Sequence, residues 1–236
     1  MNPIVIVSGG TKGIGRATVE QFMADGFDVA TCARNETELQ QLQESLEEKY
    51  SPARLFVKTA DLAVKEEVAA FVQFIHSLER PVEILVNNAG LFVPGQIHNE
   101  PSGTLESMIE TNVYSAYYLT RGVVEGMIRR KRGHIFNLCS TASITAYTNG
   151  GAYCVSKFAL YGMTKVLREE LKPYGIRVTA LLPGATLTAS WEGVDLPQER
   201  FIQAEDIAKT IFSAYRLPAG AVIEEILIRP QLGDIS

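Results

Sequence analysis

Three features of the sequence predict an α/β fold, built as one doubly wound, mostly parallel sheet of about seven strands with helices on both faces. Short apolar runs alternate with longer segments of helical periodicity along the whole chain. A glycine-rich loop joins the first apolar run to the first helical segment. The 236 residues suit a single domain, residues 1–236, with a full core, and no repeat or low-complexity linker divides them.

Residues 4–7 are apolar throughout, as in a strand buried on both faces. Residues 14–25 read as a helix that Gly26 stops. A second strand is expected over 28–32, and the Glu-, Gln- and Leu-rich stretch 36–49 is a helix. Residues 54–59 and 65–77 supply the third strand and helix, and 83–86 the fourth strand. One long helix is predicted over 104–129, followed by a strand over 134–139. Residues 152–172 form a helix ended by Pro173 and Gly175, and 177–182 a strand ended by Pro183 and Gly184. A short helix over 205–215 and a strand over 222–228 complete the pattern. Strands joined by helical crossovers lie parallel. Ligands of such sheets bind beyond the carboxyl ends of the strands, where strand order reverses.

Composition narrows the function classes. Hydrophobic residues make up 46% and charged residues 21%, as in ordinary globular proteins. A net charge of −5 argues against a nucleic-acid partner. Cys32, Cys139 and Cys154 form no paired or metal-ligand spacing and read as buried thiols, so no metal site is expected. The N-terminus lacks a basic segment and reads as a first strand, and no apolar run is long enough to span a bilayer. A cytoplasmic protein without a membrane partner is expected.

The loop after the first strand holds Gly9, Thr11, Lys12, Gly13, Ile14 and Gly15. Glycines let a backbone turn tightly and approach a pyrophosphate, and the helix that follows offers unpaired N–H groups. The spacing Gly9-x3-Gly13-x-Gly15 is not the common G-x-G-x-x-G fingerprint, and alone it also fits a plain glycine-rich turn. Its place between strand and helix favours phosphate binding in a Rossmann-type unit. An NAD site usually ends its second strand with an acid that binds the ribose 2′-hydroxyl. Here the strand ends Cys32-Ala33-Arg34, with Lys12 in the loop. Two cations and no acid favour a 2′-phosphate, hence NADP(H). The competing reading leaves Arg34 solvated and Lys12 on the pyrophosphate.

Tyr153 and Lys157 are spaced i, i+4 and share a helix face. A phenol is a poor proton-transfer group at neutral pH, and a nearby ammonium favours its phenolate. Such a pair can protonate a carbonyl oxygen or take a proton from an alcohol. In isolation it is also a common structural pair.

With its companions, the pair resembles the short-chain dehydrogenase/reductase family over about residues 4–188. The family's glycines stand at Gly9, Gly13 and Gly15, its Asn-Asn-Ala-Gly motif at Asn87-Asn88-Ala89-Gly90, and its acidic residue at Asp61. The helix asparagine is Asn112, the serine Ser140, and Pro183-Gly184 is followed by Thr188. The resemblance implies an oxidoreductase that moves hydride between nicotinamide and a small carbonyl or secondary alcohol. Tyr153 would be the proton donor, Ser140 would bind the substrate oxygen, Lys157 would favour the phenolate and hold the nicotinamide ribose, and Asn112 would position a water on Lys157. Asp61 and Leu62 would flank adenine, and Asn88, Ala89 and Gly90 would line the ribose, although Asn88 equally fits a strand-bracing role. Pro183, Gly184, Thr186 and Thr188 would contact the nicotinamide side. A homodimer or homotetramer is implied, with Tyr114, Tyr117 and Tyr118 as packing or subunit contacts.

Substrate choice is expected from residues 142–149 and from a short lid over 189–203, with Ala142, Tyr147 and Trp191 on the substrate beside Ser140 and Tyr153. Ile144, Leu196, Pro197 and Phe201 belong to the same stretches. The ending Glu224 to Pro230 departs from the 3-oxoacyl-carrier-protein reductases. It looks more like members acting on 3-hydroxy acids, sepiapterin-like carbonyls or small ketones. A carrier-protein reductase and a non-catalytic NADP-binding regulator are the alternatives, and a sugar-nucleotide epimerase would need a larger C-terminal domain. His76, His98 and His134 match no catalytic motif and are expected at the surface or at strand ends.

Overall fold

The computed structural model describes residues 3–188 and 196–235. Seven parallel strands form one sheet in the order β3-β2-β1-β4-β5-β6-β7. They are β1 (Ile4–Ser8), β2 (Asp28–Ala33), β3 (Leu55–Thr59), β4 (Val82–Asn87), β5 (Gly133–Leu138), β6 (Ile176–Pro183) and β7 (Glu225–Ile228). The helices are α1 (Gly13–Ala24), α2 (Glu36–Lys49), α3 (Lys65–Ser77), α4 (Thr104–Ile109), α5 (Ser115–Arg130), α6 (Gly151–Leu171) and α7 (Ala204–Tyr215).

Strand alternation explains why both faces are covered. Val5 and Val7 pack with Phe22 of α1, Leu42 of α2 and Ile211 of α7. Ile4 and Ile6 point the other way, into a layer with Phe71 of α3, Val123 of α5 and Leu171 of α6. A strand with two apolar faces is stable only between two helix layers, so the unbroken run in β1 dictates a three-layer architecture. The order reverses between β1 and β4, and their loops diverge to open a crevice at the carboxyl edge.

Two elements depart from expectation. The long helix predicted over 104–129 is interrupted by a π-helical turn, Glu110–Tyr114, between α4 and α5. The cause is tertiary: Asn112 turns inward there and bonds the backbone of Leu91. The strand predicted over 222–228 is shorter, because only Glu225–Ile228 enters the ladder with β6.

His134 is a third departure. It stands near the start of β5, but there it is fully buried, not at the surface, and is stacked on Phe136. The Thr179 hydroxyl donates to the Ile223 carbonyl, so His134 Nε2 donates to Thr179 Oγ1 at 2.8 Å and Nδ1 keeps its lone pair without a partner. Burial, reinforced by the Arg177 charge, holds the imidazole well below its ordinary value of 6.5. The folded state therefore keeps this ring neutral while the unfolded chain protonates it. Its contribution to stability is complete above pH 6.5 and is lost as pH falls from there toward the depressed folded value, at about 1.4 kcal/mol per pH unit. Urea unfolding of the wild type and His134→Gln at pH 7 and pH 5 should show a loss about 1–2 kcal/mol larger in the wild type.

Candidate active site

The crevice is a cavity of about 1350 Å³, lined by the loops after β1 to β6 and by the start of α6. Its floor is a bridge between the two diverging strands. Ser8 Oγ accepts from the backbone N–H groups of Asn88 and Ala89, and Asn88 Nδ2 donates to the carbonyls of Ser8 and Gly9. The side chain of Asn88 is thus occupied in bracing β1 against β4.

The glycine loop is built for close approach. Gly9 and Gly13 have φ of +71° and +52°, in the left-handed region that side chains disfavour. Gly15 has a different task. A Cβ there would sit 2.1 Å from the Gly9 carbonyl oxygen and 2.4 Å from Asn88 Nδ2. Gly15 lies beneath the loop and outside the cavity lining, whereas Gly9, Thr11, Lys12, Gly13 and Ile14 line it. No side chain caps the start of α1 at Lys12, so its first-turn N–H groups lack a side-chain acceptor. The loop and the uncapped helix start fit the phosphates of a dinucleotide.

Arg34, at the end of β2, is exposed and lines the cavity with Lys12, Asp61 and Leu62. The strand ends without an acid at Ala33. Asp61 Oδ1 accepts from the Ala63 N–H, which fixes the turn beside the buried Leu62. Lys12 is paired with Glu38, which also lines the cavity.

Ser140, Tyr153 and Lys157 line the same cavity. Lys157 is only 5% exposed, and its Nζ donates to the Leu138 carbonyl at 2.7 Å. The same nitrogen lies 5.8 Å from the centre of the Tyr153 ring. Phe92 packs edge-on against that ring, with centroids 4.8 Å apart. Ser140 caps the following 3-10 turn: its Oγ accepts from Ala142 N–H and its own N–H donates to Ser143 Oγ. Buried Cys139 beside it is inert, because burial pushes its thiol up to about 11.

Asn112 is brought near but not into the cavity. Its Oδ1 accepts from Leu91 N–H, and its Nδ2 donates to the Leu91 carbonyl and to Ser156 Oγ. A Cβ on Gly90 would lie 3.4 Å from Asn112 Oδ1 and 3.6 Å from Lys157 Nζ, so the Gly90 backbone packs closely against both groups. The Asn112 side chain is therefore committed to the loop after β4 and to Ser156.

Among the expected substrate residues, Tyr147 lines the cavity, and burial pushes its phenol up. Ala142 does not: it is buried, and the 3-10 turn presents Thr141 to the cavity instead. Trp191 lies outside the described residues, as do residues 189–195 of the expected lid. Phe201, in the described part, is buried and does not line the cavity. Pro183, Gly184, Thr186 and Thr188 line it, with Thr188 packed over Gly13. Phe92, Thr141, Thr145 and Asp234 also line it without having been singled out. Among the described residues no group of three or more His, Cys, Asp or Glu is arranged to hold a metal, and no helix is long and apolar enough to cross a membrane.

A family model described as short chain dehydrogenase matches residues 3–198. The chain is 31% identical over 241 residues to a sepiapterin reductase of Chlorobaculum tepidum, covering 100% of this chain and 99% of that protein. It is 30% identical over 244 residues to an NADP-dependent 3-hydroxy acid dehydrogenase of Salmonella typhi, covering 96% of this chain and 94% of that one. The solved structure of an L-sorbose reductase from Gluconobacter frateurii, complexed with NADPH and L-sorbose, superposes with a TM-score of 0.89 at 27% identity, covering 97% of this chain and 95% of that one.

Proposed function

Because this chain belongs to the short-chain dehydrogenase family, we propose that it reduces a small carbonyl compound with NADPH, and oxidises the corresponding secondary alcohol in reverse. The observation that carries this reading is that Ser140, Tyr153 and Lys157 line the same cavity as the glycine loop. A regulator that only bound the nucleotide would need the loop but not this trio.

When bound, the nicotinamide supplies the hydride. Tyr153 donates its proton to the carbonyl oxygen, with the Lys157 ammonium beside its ring. The Leu138 carbonyl fixes that ammonium, so its charge is in place before the proton moves. The Ser140 hydroxyl donates to the same substrate oxygen as negative charge develops there. Its oxygen accepts from Ala142 N–H, and its hydrogen remains to be donated. Asn112 acts by holding the loop that carries Gly90 against Lys157.

The absence of an acid at the end of β2 and the guanidinium of Arg34, which has no partner among the described residues, support NADPH over NADH, in keeping with the NADP-dependent relative. Arg34→Asp should cut NADPH kcat/KM by about tenfold to a hundredfold, the scale of a charged hydrogen bond, and raise use of NADH. Steady-state kinetics with both cofactors checks this, and a wild type that prefers NADH would refute the assignment.

Phe92 and Tyr147 give the substrate end an aromatic character, which suits a ketone, a 3-hydroxy acid or a pterin-like carbonyl. A homodimer or homotetramer would cover Tyr117 of α5 and Phe158 of α6, which are exposed in the single chain. NADPH oxidation across keto-esters, diketones, quinones and pterins tests the reading. Turnover of none of them by protein that binds NADPH would favour the non-catalytic regulator.

A further inference from the structure

This inference rests on the NADPH reading above and refines it. Lys12, Arg34 and Glu38 all line the corner between the loop after β1 and the end of β2. The two cations are not equivalent. Lys12 Nζ is 2.9 Å from Glu38 Oε1, whereas Arg34 has no ion pair or hydrogen-bond partner among the described residues. Glu38 is set in place by local structure. It lies in the first turn of α2, and its backbone N–H donates to the capping Asn35 Oδ1 at 3.1 Å. The negative charge therefore occupies the corner before any ligand arrives.

We infer that Glu38 is a specificity-determining residue that masks Lys12 and restrains the preference for a 2′-phosphorylated cofactor. A 2′-phosphate entering the corner meets one free cation, Arg34, and one that is already shared. It must share Lys12 with Glu38 or displace it, and the carboxylate repels the incoming dianion in either case. A ribose with a free 2′-hydroxyl meets no such repulsion, and the carboxylate can accept its hydrogen bond. Lys12 thus contributes less to NADPH binding than its position suggests. If Glu38 instead served to hold Lys12 ready for the phosphate, its removal would have the opposite sign.

The test is a set of fluorescence titrations on the wild type, Glu38→Gln, Lys12→Ala and the double variant. Each is titrated with NADPH and NADH, and with adenosine 2′,5′-bisphosphate against 5′-AMP as probes confined to the corner. Glutamine keeps the size of the side chain and the N–H that closes the cap. Glu38→Gln should tighten NADPH and the bisphosphate about three- to fivefold, the scale of an exposed charge contact, and leave NADH and AMP within about twofold. Lys12→Ala should weaken NADPH more in the Glu38→Gln background than in the wild type. Weaker NADPH binding by Glu38→Gln, or equal changes for both cofactors, would overturn the inference and leave the NADPH reading standing. Tighter NADH than NADPH binding by the wild type would sink that reading, while the ratio of the two adenosine probes would still decide the role of Glu38.

Discussion

Tyr153→Phe should lower kcat for carbonyl reduction by about a thousandfold or more, within or beyond the range of a lost general acid, and leave NADPH affinity within about threefold. The structure makes this substitution clean. Phenylalanine keeps the edge-on contact with Phe92 and the packing beside Lys157. Among the described residues the Tyr153 hydroxyl bonds no protein group, so its loss leaves no orphaned partner and stability should change by less than about 0.5 kcal/mol. The hydroxyl is thus available for the substrate, and its removal separates chemistry from folding. Stopped-flow turnover, NADPH titration and thermal melting of the variant check the three parts together. A variant that retained most of its kcat would remove Tyr153 from the role of proton donor.

The second large effect is expected at Gly15. An alanine methyl there would meet the Gly9 carbonyl oxygen at 2.1 Å, a backbone atom that cannot swing away. It would also meet Asn88 Nδ2, which holds β1 and β4 together at the crevice floor. The loop must move, and overpacking of this kind costs about 1–3 kcal/mol. Moving the loop also spoils the phosphate cradle, so Gly15→Ala should lose at least about tenfold in NADPH affinity. Gly162, in α6, is the control, because nothing lies within 4 Å of its added Cβ. Gly162→Ala should be neutral or stabilising by up to about 1 kcal/mol through helix propensity. Melting curves and NADPH titration of the two variants distinguish a steric effect at Gly15 from a general intolerance of glycine substitution.

Much of this architecture is legible in the sequence, because the strands are short apolar runs with distinct punctuation. Gly26 and Pro183-Gly184 mark element ends that the structure keeps within a residue or two. Asn35 caps α2, and the predicted limits of that helix match the observed Glu36–Lys49. Cavity-lining positions in the loops after β1, β4 and β6 are legible for the same reason, since motif order and strand order coincide.

The remainder depends on tertiary contacts that leave no local trace. The helical pattern runs unbroken through Glu110–Tyr114, and only the reach of Asn112 to Leu91 explains the π turn. Ala142 and Thr141 are neighbours, and the 3-10 turn decides which of them faces the cavity. His134 carries no sequence mark that separates a surface ring from a buried one hydrogen-bonded to Thr179. Gly15 sits in the right motif, yet it spaces the loop rather than lining the site. Glu38 has a readable signal, an acid three residues after a capping asparagine, but its pairing with Lys12 is visible only in the fold.

The central claim is that this crevice transfers hydride, not merely that it holds a nucleotide. Supplying NADPH deuterated at the nicotinamide C4 position, together with a ketone from the screened panel, tests it directly. The wild type should give alcohol product carrying one deuterium at the former carbonyl carbon, and Tyr153→Phe almost none. NADPH bound tightly by the wild type with no label reaching any product would contradict it.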